Sequence, residues 1–315
     1  TAKILFQDAL ACVKRSWGVF FADFCFGTEF ALFNMILEPA LRSWVHCETA
    51  VLGSDLHMFS GSATCGDRKF VVQQAARLSG WLGAFEGSLS LVCMPLMGAF
   101  GDQYGRLPVL WLCIAGHAFS LVAISSSGGA VPIIVSAYLV RGLTGAFFST
   151  FKAILGDLGG NRSLAFTVKA MFHFVGHGVG WLLGLCILRY NLVDYTTPWW
   201  MCILIFAIGT AFATQISESL PGKPKKGGLD VSFLLDPVVF FLRERFMRRY
   251  CAAQFFIVLG VSVSFLLKSF VLAAFDWQQG SFEALMGIAG VIAAASTFFA
   301  PVLIRRYSTQ VVVSR

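Results

Sequence analysis

Eight stretches of the chain are long and apolar enough to set its fold class by themselves: 17–40, 79–101, 107–127, 131–155, 164–188, 197–217, 250–275 and 283–304. A bilayer core is about 30 Å thick, so a crossing helix needs about 20 mainly apolar residues. No water reaches that depth to satisfy backbone groups, and segments of this length therefore fold as helices. The expected fold is all-α and polytopic, and the protein is expected to be integral to a plasma or organelle membrane.

Composition agrees. Only 13% of the 315 residues are charged, against about 25% in soluble domains. Thirty-two Phe and thirty-one Gly suit lipid-facing surfaces and close helix packing. The net charge of +7 is carried largely by loops beside the apolar runs, so it reads as a topology signal and not as a nucleic-acid surface. Of nine Cys, most lie within spans as small hydrophobes. Cys47 and Cys65 share one polar loop, where a disulfide is an open alternative. No CxxC or Cys/His cluster has zinc spacing, and no cofactor is expected.

Counting Lys and Arg places the N-terminus in the cytoplasm. Lys14, Arg15, Arg106, Lys225, Arg248 and Arg305 then fall inside, and the long 41–78 loop falls outside. The sequon Asn161-Arg162-Ser163 is cytoplasmic in this topology and stays unglycosylated. Residues 1–217 form a six-span unit. Residues 218–249 form a linker that opens on Pro221-Gly-Lys-Pro-Lys-Lys-Gly-Gly228 and continues as an amphipathic helix on the membrane surface. Residues 250–315 hold two further spans. A faint repeat relates Gly101–Leu110 to Ile304–Val313, an offset of about 200 residues, as in transporters built from repeated halves.

The segment Gly98-Ala-Phe-Gly-Asp102-Gln-Tyr-Gly105-Arg106-Leu-Pro-Val-Leu110, between the second and third spans, resembles the loop joining helices two and three of the major facilitator superfamily. Gln103 and Leu107 depart from that pattern, where basic residues are usual. Arg141-Gly-Leu-Thr-Gly145 is similar to the family's helix-four pattern, and Glu218-Ser219-Leu220-Pro221 to the element that closes helix six. Gly176, Gly180 and Gly184 resemble the Gly-rich fifth helix of drug/proton antiporters, without its usual Gly-Pro pair. The layout is most similar to the tetracycline-resistance and hippocampus-abundant-transcript branch, and next to folate-transporter-like carriers. The resemblance implies a fold of twelve helices, of which about eight are present, the chain being truncated at its C-terminal side. It also implies secondary transport of a small solute by alternating access, coupled to protons or another gradient as antiporter or symporter, with no enzymatic step. A non-transporting receptor or regulator, or an inactive truncated pseudo-transporter, is the alternative.

The resemblance assigns Gly98, Asp102, Gly105, Arg106 and Asp157 to a cytoplasmic gate. Gly98 is expected to permit close packing and Gly105 a tight turn. In span 1, Asp23, Gly27, Asn34 and Glu38 fall within about 60° at roughly 100° per residue, with Glu29 off that stripe. In span 4, Arg141, Gly145, Ser149 and Lys152 fall within about 80°. An acidic stripe facing a basic one is a candidate substrate or proton site. Asp23 and Lys152 have a second reading as side chains that snorkel to the interface. Lys268 of span 7, near Gln254 and Ser264, is a candidate contact for an anion or an acid, and Glu86 of span 2 a candidate proton carrier. His173 and His177 have helical metal-ligand spacing without a third ligand, and tight packing beside the glycines accounts for them better.

Overall fold

The computed structural model describes residues 2–44, 68–158, 162–189 and 196–220, with scattered positions between 239 and 299. Its helices, in chain order, are α1 (Ala2–Arg15), α2 (Trp17–Trp44), α3 (Arg68–Tyr104), α4 (Arg106–Ser126), α5 (Val131–Thr144), α6 (Phe147–Asp157), α7 (Arg162–Arg189) and α8 (Thr196–Ala213). No strand occurs among the described residues. Five helical segments are long and apolar enough to cross a membrane, at Trp17–Leu37, Gln74–Tyr104, Arg106–Ser126, Val131–Asp157 and Leu164–Ile187. Shorter apolar helices cover Pro198–Ala213 and Ala284–Thr297.

The helices from α2 to α8 form one bundle around α2. Within their most apolar windows, 78% of α2 is buried but only 11% of α3, so α2 is the axis and α3 a wall. Lipid tails are as apolar as Leu, so contact between such helices depends on close fit. Glycine provides it here. Gly176 and Gly180 of α7 lie against the backbone oxygens of Phe24 and Thr28 on α2, and Gly184 against the side chain of Met35. The Gly face expected on this helix is thus its seam with α2. A second seam lies on the other side of α7, where a Cβ on Gly290 would come within 3.0 Å of Gly178 Cα. Inside the bundle Phe26 meets Phe147, Phe151 and Phe206 at centroid distances of 5.2, 6.0 and 5.0 Å.

Three features depart from the sequence expectation. α3 begins at Arg68, inside the stretch assigned to the long loop. Arg68, Lys69 and Arg77 lower the hydropathy there, yet Val71-Val-Gln-Gln-Ala-Ala76 contains neither Gly nor Pro and continues the helix. The fourth span is two helices, broken at Gly145 and Ala146, where ψ rises to 10° and 5°. Gly142 and Gly145 sit against α3, and a Cβ on Gly145 would lie 2.8 Å from Ser90 Oγ. Finally, α1 precedes the first span. Its last turn carries Lys14 and Arg15, cations suited to a helix C-terminus.

The α4–α5 hairpin turns on Gly128 and Gly129, with φ of 55° and 92°. Cys47, Cys65, Asn161, Gln254, Ser264, Lys268 and the repeat at 304–313 lie outside the described residues, as does most of the 218–249 linker. Within that linker Val239, Arg243, Arg245, Arg248 and Arg249 are helical and exposed.

Candidate functional site

Two groups of charged side chains stand out, one at the turn between α3 and α4 and one within the spans. The turn is shaped by Gly105, whose φ of 109° is open to glycine and strained for other residues. It starts α4 without a side-chain cap of its own, leaving N–H groups of the first turn to be satisfied from elsewhere. Glu218, just past α8, satisfies two of them. Its Oε1 accepts from Arg106 N and its Oε2 from Leu107 N, both at 3.0 Å. The same carboxylate accepts from Ser219 N and Leu220 N. Partial burial pushes the Glu218 carboxyl up, but the backbone N–H groups of Leu107, Leu220, Arg106 and Ser219 outweigh it and hold it below the ordinary carboxylate range.

Arg106 completes this end of the bundle. It pairs with Asp102 one turn back and with Asp157 at the end of α6, Nε to Oδ2 at 3.1 Å. It also donates to the Gly98 carbonyl at 3.4 Å. Ser219 Oγ donates to Asp157 Oδ2 at 3.1 Å, so the α3–α4 turn, α6 and the end of α8 meet in one polar knot. Gly98 itself is not closely packed, contrary to expectation. It is exposed with nothing within 4 Å of a Cβ built there, and the close approach belongs to Gly101, where a Cβ would lie 3.1 Å from Arg106 Nη1.

Three pairs of ionisable side chains lie inside the spans. Asp23 of α2 and Lys169 of α7 are joined at 2.8 Å, with side chains 0% and 5% exposed. His173 Nδ1 lies 3.5 Å from the same Asp23 oxygen. Gly27 makes room for the histidines, since a Cβ there would lie 3.2 Å from His177 Nδ1 and 3.3 Å from His173 Nδ1. The two rings lie 4.4 Å apart, and His177 Nδ1 donates to the His173 carbonyl. Among the described residues no group of three or more His, Cys, Asp or Glu is arranged to hold a metal ion.

Arg141 of α5 pairs with Glu86 of α3 at 2.9 Å, and its guanidinium lies 4.4 Å from the Phe33 ring. Cation and aromatic face attract electrostatically there. The third pair joins Glu29 of α2 to His117 of α4, Oε2 to Nε2 at 3.0 Å, with side chains 0% and 4% exposed. The His117 ring stacks 5.0 Å from Phe206.

The expected facing of an acidic stripe on span 1 by a basic one on span 4 is therefore corrected. Asp23 pairs with α7, and Arg141 pairs with α3. Helix periodicity places side chains on a face and does not name the neighbour. Asp23 is buried within the protein and does not reach for an interface; Lys152 is exposed. Asn34 donates to the carbonyl of its own turn, Phe30. Gly145 marks the break in the fourth span. Lys169 and His117 were missed by the sequence reading. The signal that finds them is plain: each is an ionisable residue well inside an apolar run, where charge is costly unless it is paired or functional.

A bundle of apolar hairpins, with charges joined at one turn and paired across helices at span depth, is the architecture of a polytopic membrane protein. The chain belongs to the Major Facilitator Superfamily, whose family model matches residues 19–314. It is 33% identical over 156 residues to human "Major facilitator superfamily domain-containing protein 10", an alignment covering 49% of this chain and 33% of that protein. The chain thus matches about a third of the relative's length. The crystal structure of the human organic anion transporter MFSD10 (TETRAN) superposes with a TM-score of 0.69 at 22% identity, covering 90% of this chain and 71% of that one. At that identity the likeness is one of fold.

Proposed function

We propose that the protein works as a secondary active transporter, moving a small organic anion by alternating access under a proton or solute gradient. Residues 1–217 form one half of the carrier, 218–249 the cytoplasmic linker, and 250–315 the opening helices of the other half. The N-terminus lies in the cytoplasm. Arg106, Asp102, Asp157 and Glu218 form a cytoplasmic gate, with Gly105 setting the turn. Asp23, Asn34, Glu86, Arg141 and Gly145 belong to the cargo path, with Lys268 its counterpart in the second half.

The observation that carries this reading is the set of ionisable side chains at span depth on different helices, Asp23 with Lys169 and Glu86 with Arg141. Buried charge within a membrane marks a path for ions or polar solutes. Cations beside rings, Arg141 at Phe33 and Lys169 at Phe148, suit an anion with an apolar body. The neighbouring structure's description as an organic anion transporter agrees with that chemistry.

Uptake of fluorescein into proteoliposomes, with the protein expressed from its complete reading frame, tests the reading. Accumulation above empty vesicles under an imposed pH or sodium gradient is expected. If no gradient drives any uptake and Asp102→Asn changes nothing, a receptor or regulator on the same fold is the better account.

A further inference from the structure

One end of the bundle collects more positive charge than its own carboxylates neutralise. Gly18, at the start of α2, lies against the Phe212 carbonyl and Gln215 at the end of α8. Glu218, a little further along the chain, is bonded to the α3–α4 turn, whose Arg106 reaches Asp157 at the end of α6. The start of α2, the α3–α4 turn and the ends of α6 and α8 therefore share one end. The carboxylates of the turn are already engaged there. Asp102 and Asp157 pair with Arg106, and Glu218 caps α4.

The cations around the turn have no such partners. Lys14 and Arg15, which close α1 just before α2, and Arg162, which opens α7, are exposed. Among the described residues none of them forms an ion pair. Beside Lys14 and Arg15, Cys12 and Val13 pack half-buried against the core, while Leu10 and Trp17 are 43% and 41% exposed. Trp17 keeps one edge on Phe212, with ring centroids 5.8 Å apart. A short helix with exposed cations, an exposed Leu and a half-exposed Trp at its junction with a span has the make-up of a segment at headgroup level.

The chain leaves this end at Leu220 and, after a Lys-rich linker, presents Arg243, Arg245, Arg248 and Arg249. All four arginines are exposed and helical, and Arg248 N donates to the Glu244 carbonyl at 3.0 Å. Glu244 is the one acid among them. The apolar run 250–275 begins immediately after Arg249, so the cluster belongs at the boundary between water and hydrocarbon. At that depth a guanidinium meets phosphate oxygens, which its planar fork matches in pairs.

We propose that this end of the protein is a docking surface for anionic phospholipid headgroups, held by Arg245, Arg248 and Arg249 beside one apolar segment and by Lys14 and Arg15 beside another. The cations border apolar helices on separate segments of the chain, a spread that suits a plane of charges and not a single ion. In the orientation proposed above that plane is the cytoplasmic leaflet, where anionic lipids concentrate. Lipid binding does not require transport, so it stands or falls separately from the proposed function.

Spin-labelled lipids test the assignment. The protein, expressed from its complete reading frame, is reconstituted in phosphatidylcholine vesicles. The motionally restricted fraction is then compared for spin-labelled phosphatidylserine and spin-labelled phosphatidylcholine. One cation at an anionic surface is worth about fivefold in association, and wild type is expected to prefer phosphatidylserine by at least that factor at low ionic strength. The preference is expected to shrink towards unity as salt rises, because exposed charges are screened. Arg245→Gln/Arg248→Gln/Arg249→Gln is expected to remove most of it, and Lys14→Gln/Arg15→Gln a smaller part. The salt series on wild type needs no variant and keeps the test open if a variant fails to fold. Equal restriction of the two lipids by wild type at low salt overturns the proposal, as does a preference that survives the triple variant. Inorganic phosphate at matched ionic strength is expected to act no more strongly than chloride. Selective displacement of phosphatidylserine by phosphate would identify a site for a soluble anion and overturn the lipid assignment.

Discussion

Glu218 caps a helix that begins 112 residues earlier in the chain: its two carboxylate oxygens accept the backbone N–H groups of Arg106 and Leu107, each at 3.0 Å. Removing the charge should weaken the start of α4. Loss of an N-terminal cap costs about 1 kcal/mol, and solvent screening of this exposed carboxylate keeps the effect modest. Glu218→Gln should thus lower the apparent melting temperature by about 2–4 °C at neutral pH. The sign with pH is fixed by the lowered value of the carboxyl. Its stabilisation is complete above the ordinary carboxylate range and is lost as pH falls through the depressed folded value. Wild type and variant should converge in acid; melting curves across pH check this.

Arg106 and Asp157 are expected to be energetically coupled, because Arg106 Nε meets Asp157 Oδ2 at 3.1 Å with both side chains largely shielded, 13% and 22% exposed. A double-mutant cycle with Arg106→Gln and Asp157→Asn should give about 0.5–3 kcal/mol of interaction. Ser219→Ala removes only the hydroxyl that donates to Asp157 and should give less. Chemical unfolding in detergent measures all three. A zero coupling energy would leave the turn a plain hairpin.

The turn was legible in the sequence because its parts are short-range: Gly105 and Arg106 follow Asp102 within a few residues, and together they carry the resemblance to the family's loop. The helical character of the described apolar segments was legible for the same reason, since hydropathy is a local property. The pairs inside the bundle were not. Lys169 lies 146 residues from Asp23, and His117 lies 88 from Glu29. A stripe analysis of span 1 found Asp23 but set it against the fourth span, whereas its partner lies on α7. It set Glu29 aside as off the stripe, although α2 is enclosed by helices and has no idle face. The start of α3 was hidden by its own charges, and the break at Gly145 by the apolar residues that continue on both sides of it.

Glycines in similar helical settings should behave in opposite ways. A Cβ on Gly180 would meet the Thr28 carbonyl oxygen and come within 2.8 Å of Ala31 Cβ, whereas one on Gly87 meets nothing within 4 Å. Gly180→Ala forces the α2–α7 seam apart and should cost about 1–3 kcal/mol. Gly87→Ala relieves only backbone freedom in a helix interior and should gain about 0.5–1 kcal/mol. Comparing the two in the same detergent separates packing from propensity. If both are neutral, glycine does not set the seam.

Glu29 and His117 should be worth more together than either is alone. Both are buried and linked at 3.0 Å, with Phe147 and Phe206 around the His117 ring. Deleting one partner leaves a buried polar group unanswered, and breaking a buried pair in this way costs about 3–5 kcal/mol. Glu29→Leu and His117→Leu should each approach that cost. The double variant replaces both polar groups by apolar ones of similar size in an aromatic setting, and should recover most of the loss. Uptake assays on the same variants then separate structure from transport. If the double variant regains stability and still accumulates fluorescein, the pair is a brace between α2 and α4. Loss of uptake in a stable double variant would instead place Glu29 and His117 in the transport path.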